Sequence, residues 1–138
     1  MRILALDPGT VRVGVALSDE TRTIAQPFEF IAAEPFANFL VRLKDIIRDK
    51  QVELILVGIP RNMNGSYGPA AVKTQEFVTV LKEAITIPIK TWDERLTSVQ
   101  ANKFLIQSGM RRDKRKAKVD QTAAAILLQS YLDSFVQE

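Results

Sequence analysis

The sequence contains no cysteine and no histidine among its 138 residues. The first absence excludes disulfides and thiolate nucleophiles. Together they exclude zinc sites of the usual kind, Cys-His pairs and a Ser-His-Asp triad. Base chemistry at neutral pH is left to a carboxylate, a lysine or a metal-bound water. No apolar run is long enough to span a bilayer, and neither a secretory segment nor a lipidation signal is visible, which is compatible with a cytoplasmic location. No internal repeat or low-complexity linker is present, and the length suits one compact domain spanning 1–138.

What is present is charge, unevenly spread. The net charge is +3, with sixteen acidic residues to serve as hard oxygen donors of the kind magnesium and manganese favour. Residues 103–118 hold seven basic residues against the single Asp113, a local +6, which leaves twelve basic against fifteen acidic elsewhere. Six of those positives (Arg111, Arg112, Lys114, Arg115, Lys116 and Lys118) fall within eight positions. Such a run is either a solvated connection or a clamp for a phosphate backbone.

The chain is organised around MRILALDPGTVRVGVALS at its start. Ile3, Ala5 and Asp7 fall on one face of a strand and Leu4 and Leu6 on the other, the pattern of a central strand covered on both sides. Pro8 and Gly9 break it, and a second strand begins over Val11 to Leu17, making a hairpin. Asp7 ends the first strand beside the turn. A carboxylate near a buried face is costly unless it is paired, hydrogen-bonded or bound to a cation, so Asp7 is either an Asx-type cap of the turn or a ligand.

Farther on, Ile24 to Ala32 is expected as a third strand, with Pro27 marking an edge or a bulge. Pro35 opens a helix whose apolar stripe is Phe36, Phe39, Leu40, Leu43, Ile46 and Ile47. Leu54 to Ile59 reads as a central parallel strand, and the loop from Pro60 to Gly68 leads to a helix from Pro69 to about Lys82, with Val72, Phe77, Val80 and Leu81 in the core. Ile87 to Trp92 is the fifth strand. Thr97 and Gln100 form a capping box for a helix through Leu105 and Ile106 that Gly109 ends. A last helix spans about Val119 to Phe135, with the stripe Val119, Ala123, Ile126, Leu127, Tyr131 and Phe135. This order predicts an α/β fold: a mixed five-stranded sheet, order 3-2-1-4-5, strand 2 antiparallel, with helices on both faces.

In that topology the first, fourth and fifth strands are parallel and their carboxyl ends lie together. Asp7, the loop after Gly58, the pair Asp93 and Glu94, and Asp120 in the first turn of the last helix acquire a common address. Singly, Asp93 or Glu94 could be a solvated strand end and Asp120 a favourable charge at a helix N-terminus. Together, three acids at one sheet end, a cationic strip and no histidine suit metal-dependent phosphoryl transfer on a polyanion. Trp92 and Tyr67 are the aromatics placed to stack on a base, although Trp92 suits packing in the sheet better than stacking.

Four stretches carry a resemblance: DPGTVRVGVALS at 7–18, GIPRNMNGSYGPAA at 58–71, DERLTSVQA at 93–101 and VDQTAAAILLQSYL at 119–132. They resemble the signature blocks of a family of small bacterial nucleases known both as pre-16S ribosomal RNA nucleases and as Holliday-junction-resolvase-like proteins, of ribonuclease H-like fold. The resemblance implies catalytic, metal-binding acids at Asp7, Glu94 and Asp120, with Asp93 only a neighbour, two Mg2+ or Mn2+ ions with substrate bound, and Arg12 and Arg95 either touching phosphate beside the basic segment or bracing the carboxylates. Val11 departs from the lysine many relatives carry before the motif arginine. The implied role is a hydrolase trimming the 5′ end of precursor 16S ribosomal RNA, with a ribosomal-subunit precursor as a partner. The alternatives are cutting of four-way DNA junctions, which requires a symmetric dimer, and a non-catalytic RNA-binding assembly factor. An ATP-using phosphotransferase with a similar hairpin needs two lobes, and 138 residues provide one.

Overall fold

Arg2–Pro8 forms the first strand, β1. Its side chains alternate between faces: Leu4 and Leu6 are buried in one apolar cluster, Ile3 and Ala5 in another. A strand buried on both sides must sit inside a sheet with two covering layers. The structure is a computed structural model and describes residues 1–60, 68–93 and 123–134. Four further strands flank β1: β2 (Arg12–Ser18), β3 (Ala25–Ala32), β4 (Val52–Ile59) and β5 (Ile89–Asp93). The sheet order is β3-β2-β1-β4-β5. β2 is antiparallel to both its neighbours, and β1, β4 and β5 are parallel, as the sequence predicts.

Pro27 sits where its missing N–H is tolerated, on the edge strand β3. The register slips there: Val15 faces Glu29 and Ala16 faces Pro27, so Phe28 is the extra residue of a bulge.

One face of the sheet is covered by α1 (Phe36–Asp49) and α2 (Pro69–Ala84). α1 buries Phe39, Leu43 and Ile46, with Phe36, Leu40 and Ile47 packed at the margin, the stripe its periodicity predicts. Its outer face is tied back to β3 where Arg42 Nε donates to Glu29 Oε2 at 2.8 Å, which lowers the Glu29 carboxyl below its usual range. α2 begins, as expected, with Pro69 in its first turn. Its buried seam is Ala71, Thr74, Val78 and Leu81. Val72 and Val80, expected in the core, are instead 48% and 43% exposed. The apolar residues of α2 run nearly all round the helix, so periodicity alone could not select the seam. A buried threonine is admissible there because its hydroxyl donates to the Ala70 carbonyl at 3.1 Å.

The other face is covered by the helical residues 123–134, here α3. Ala124, Leu127, Leu128, Tyr131 and Leu132 form its buried seam. Leu127 and Tyr131 hold the expected place, whereas Ala123 and Ile126 are only half-buried. Val119 and Phe135 lie outside the described residues. The C-terminal half of α3 sits at the start of the strands: Gln129 accepts from the Ala25 N–H at 2.9 Å and donates to the Thr23 carbonyl at 3.0 Å. Ala124 packs in the same cluster as Ile3, Ala5 and Leu56, on the Asp7 face of the sheet. Among the described residues, no helix is long and apolar enough to cross a membrane.

The β2–β3 turn is held by Asp19. Its carboxylate accepts from the Ile24 N–H (3.0 Å), the Thr21 hydroxyl and the Thr23 N–H (2.7 Å), and these bonds hold its pKa at about 2. Because the folded value lies below the ordinary 3.8, this contribution to stability is present above that pH and is lost as pH falls toward about 2. In urea unfolding of the protein and of Asp19→Asn, the stability gap is expected to be constant above pH 5 and to shrink steadily below pH 4. A gap independent of pH would show that the turn does not depend on the charge.

Candidate active site

β-Sheet register assembles the site from residues far apart in sequence. Asp7 lies opposite Gly14, and Gly14 opposite Phe30. On the other side, Leu6 lies beside Val57, which brings Gly58 level with Asp7, and Gly58 lies beside Trp92. Paired residues project to the same face. One row across all five strands therefore reads Phe30, Gly14, Asp7, Gly58 and Trp92, on the face covered by α3. The carboxylate at its centre is half-buried and has a buried glycine on either side. A glycine inside a strand marks a place where something else must come close to the backbone.

At the Trp92 end the row is closed by packing. The indole meets Tyr131 edge-on at 5.1 Å and its Nε1 donates to Ser130 Oγ at 3.4 Å, so Trp92 anchors α3 to β5. Of its two sequence readings, packing is the one found. At the Phe30 end, among the described residues, the row is open. Asp7, Gly9, Gly14 and Phe30, with residues 10–12 of the turn, line a cleft of about 280 Å³. The Arg12 guanidinium lies over the Phe30 ring, 4.2 Å from its centroid. Val11, in the place of the expected lysine, is 78% exposed beside it.

The turn that presents Asp7 and Arg12 depends on Gly9. Its N–H donates to the Arg12 carbonyl at 3.0 Å, and a Cβ at position 9 would fall 2.6 Å from that oxygen. The clash is with backbone, so it cannot be relieved by a side-chain rotation. Gly9→Ala is expected to cost about 1–3 kcal/mol by overpacking and to lower nucleic-acid affinity as well, since the displaced oxygen belongs to Arg12. Chemical denaturation and a binding titration check both. Unchanged values would mean the turn relaxes freely.

Asp93 lies beside Ile59 at the end of β5. Alternation puts it on the face of Ile89 and Val57, which pack in the α1–α2 cluster, opposite to the face of Asp7. Among the described residues, no three acidic side chains gather into a group able to hold a metal ion. Asp7 and Arg12 are the predicted site residues that fall within them. Glu94, Arg95, Arg111, Arg112, Lys114, Arg115, Lys116, Lys118 and Asp120 lie outside the described residues, as do Tyr67 and the capping box at Thr97 and Gln100. Sequence reasoning missed Phe30 and the pairing of Gly14 with Gly58 about Asp7. The available signal was a glycine inside each of two apolar strands.

Comparison with known proteins bears on this arrangement. A family model described as RuvX, Holliday junction resolvase, matches residues 1–134. The chain is 49% identical over 134 residues to a protein of Desulforamulus reducens named "Putative pre-16S rRNA nuclease", covering 97% of this chain and 98% of that one. It is 47% identical over 135 residues to a protein of the same name from Caldanaerobacter subterraneus subsp. tengcongensis, covering 97% of each. Among solved structures, it is similar in fold to the Fowlpox virus resolvase in complex with Holliday junction DNA (TM-score 0.57, 15% identity, 99% of each chain covered). It is likewise similar to T. thermophilus RuvC with a Holliday junction substrate (TM-score 0.54, 16% identity, 99% of this chain and 96% of that one). At those identities the structural likeness speaks for the ribonuclease H-like fold, whereas the sequence match over residues 1–134 decides membership: the chain belongs to the RuvX family, whose relatives carry the pre-16S rRNA nuclease name.

Proposed function

We propose that residues 1–138 act as one metal-dependent endonuclease domain that hydrolyses phosphodiester bonds, and that its substrate is the 5′ end of precursor 16S ribosomal RNA in the cytoplasm. The observation that carries this reading is the position of Asp7: a half-buried carboxylate at the end of the central strand, flanked in the sheet by two glycines and open to a cleft that Arg12 also lines. The donor chemistry fits a hard divalent cation, since the chain offers carboxylates and no His or Cys. Asp7, Glu94 and Asp120 would hold Mg2+ or Mn2+, two ions when substrate is bound. Two features support that set. Asp93 faces away from Asp7, which leaves Glu94 as the acid of its pair. In sequence, Asp120 stands three residues before the described part of α3, the helix that covers the Asp7 face of the sheet. When bound, such ions supply positive charge that lowers the pKa of an attacking water and stabilises the leaving oxygen.

The chain's own residues do the rest. Arg12 and Arg95 meet the phosphates flanking the scissile bond. The basic residues 111–118 draw the backbone toward a site whose acids repel it. These contacts position the substrate without reading bases. The name borne by the curated relatives favours RNA, and a ribosomal-subunit precursor is the expected partner. A second reading, four-way DNA junction resolution, draws on the family description. The two separate in one assay with Mg2+ or Mn2+, comparing an RNA spanning the 5′ end of the precursor with a four-way DNA junction. Cutting of the RNA alone is expected. Paired symmetric cuts in the junction alone would overturn the RNA assignment, and cutting of neither would favour an assembly factor.

A further inference from the structure

Phe30 is half-buried, yet among the described residues it belongs to neither of the two apolar clusters that form the core. Its neighbour Ile31 enters the α1–α2 core, so alternation along β3 turns Phe30 to the opposite face, that of Asp7. The bulge at Phe28 pins this register. A one-residue slip would exchange the two faces. The ring thus stands at the open end of the row, with the Arg12 guanidinium 4.2 Å from its centroid and both residues lining the Asp7 cleft. Gly14 lies between ring and carboxylate, leaving a lane that spans two strand spacings, about 10 Å, with no side chain across its floor.

We infer that Phe30 is a positioning residue: its ring holds the Arg12 guanidinium flat on the wall of the lane, so that the guanidinium edge meets the phosphate backbone of a single nucleic-acid strand lying over Gly14. The inference rests on the proposed nuclease reading and extends it to a residue outside the four resembling blocks. The chemistry favours arginine specifically. A planar guanidinium can stack its face on a ring and still present its N–H groups edgewise to a phosphate, which an ammonium cannot do. A ring contact narrows the rotamers that a long side chain must give up on binding.

The test uses a fluorescein-labelled RNA spanning the 5′ end of precursor 16S RNA. Binding is read by anisotropy over a range of salt without divalent ions, and cleavage is read with Mg2+. Phe30→Leu keeps an apolar side chain but removes the π-face. It is expected to raise Kd and KM about three- to tenfold, to leave kcat within about twofold, and to lower the salt slope by about 0.7, the share of one phosphate on a single strand. Phe30→Tyr restores all three. Arg12→Ala gives the same defect, and adding Phe30→Leu to it costs nothing more. Arg12→Lys, with Phe30 in place, also loses affinity, and it decides the matter if Phe30→Leu does not fold. The inference is overturned if Phe30→Leu lowers only the thermal midpoint, if the two substitutions are additive, or if Arg12→Lys binds like the native protein. Failure of the nuclease reading looks different: the native protein neither binds nor cuts the RNA, and Arg12→Ala changes nothing.

Discussion

Asp7→Asn is expected to lower kcat by at least about 10²-fold, with the fold intact and the unfolding midpoint unchanged or raised. The substitution is nearly isosteric, so β1 and its pairing with Gly14 and Leu6 with Val57 need not move. What it removes is a negative charge proposed to share its site with Glu94 and Asp120, where like charges repel. Loss of activity with a gain in stability is the pattern expected of a site where function is held against the preference of the fold. The same variant separates the two sequence readings of Asp7. A turn cap needs only a side-chain acceptor, and asparagine serves there about as well as aspartate. Single-turnover cleavage with urea denaturation reads both quantities. Full activity in Asp7→Asn would make Asp7 a cap of the Pro8–Gly9 turn and remove the proposed site.

Replacing Arg111, Arg112, Lys114 and Arg115 together by glutamine is expected to raise KM about tenfold or more near physiological salt. It should leave kcat close to native and lower the salt slope of binding by up to roughly 3, about 0.7 for each phosphate of a single strand that is no longer neutralised. The argument is electrostatic. These residues belong to a segment of +6 in a chain that is otherwise net negative, so they carry the attraction that brings a polyanion to a carboxylate site. Kinetics at several salt concentrations measure it. An unchanged slope would return the segment to a solvated connection. This effect and that of Phe30→Leu differ in size, since four distributed charges act over a Debye length and one stacked guanidinium acts at close range.

The elements of this protein were legible where one physical signal dominated. β1 alternates two apolar faces, and both faces are buried. α1 has a single stripe, and that stripe packs into the core. Pro27 announced an edge strand or a bulge, and both are present. α2 and α3 were harder. Their apolar residues exceed one face, and the choice of Thr74 over Val72, or Ala124 over Ala123, follows from which face of each helix meets the sheet, a fact about the packing and not about the helix alone.

The candidate site divides the same way. Sequence by itself determined the chemistry on offer: oxygen donors without His or Cys, a carboxylate ending the first strand, a glycine turn beside it and a concentrated positive strip. It also determined the family, through four blocks spread over nearly the whole chain. Only the tertiary structure decided which residues stand beside Asp7. Gly14, Phe30, Gly58 and Trp92 come from four other strands, and their alignment depends on inter-strand register, including a bulge that shifts β3 by one residue. Register is set by the sum of cross-strand pairing and by which faces can be buried at once. That sum involves every strand together, so no window of sequence contains it. It is why Asp93 faces away from Asp7, and why a phenylalanine on an edge strand comes to hold an arginine at the cleft.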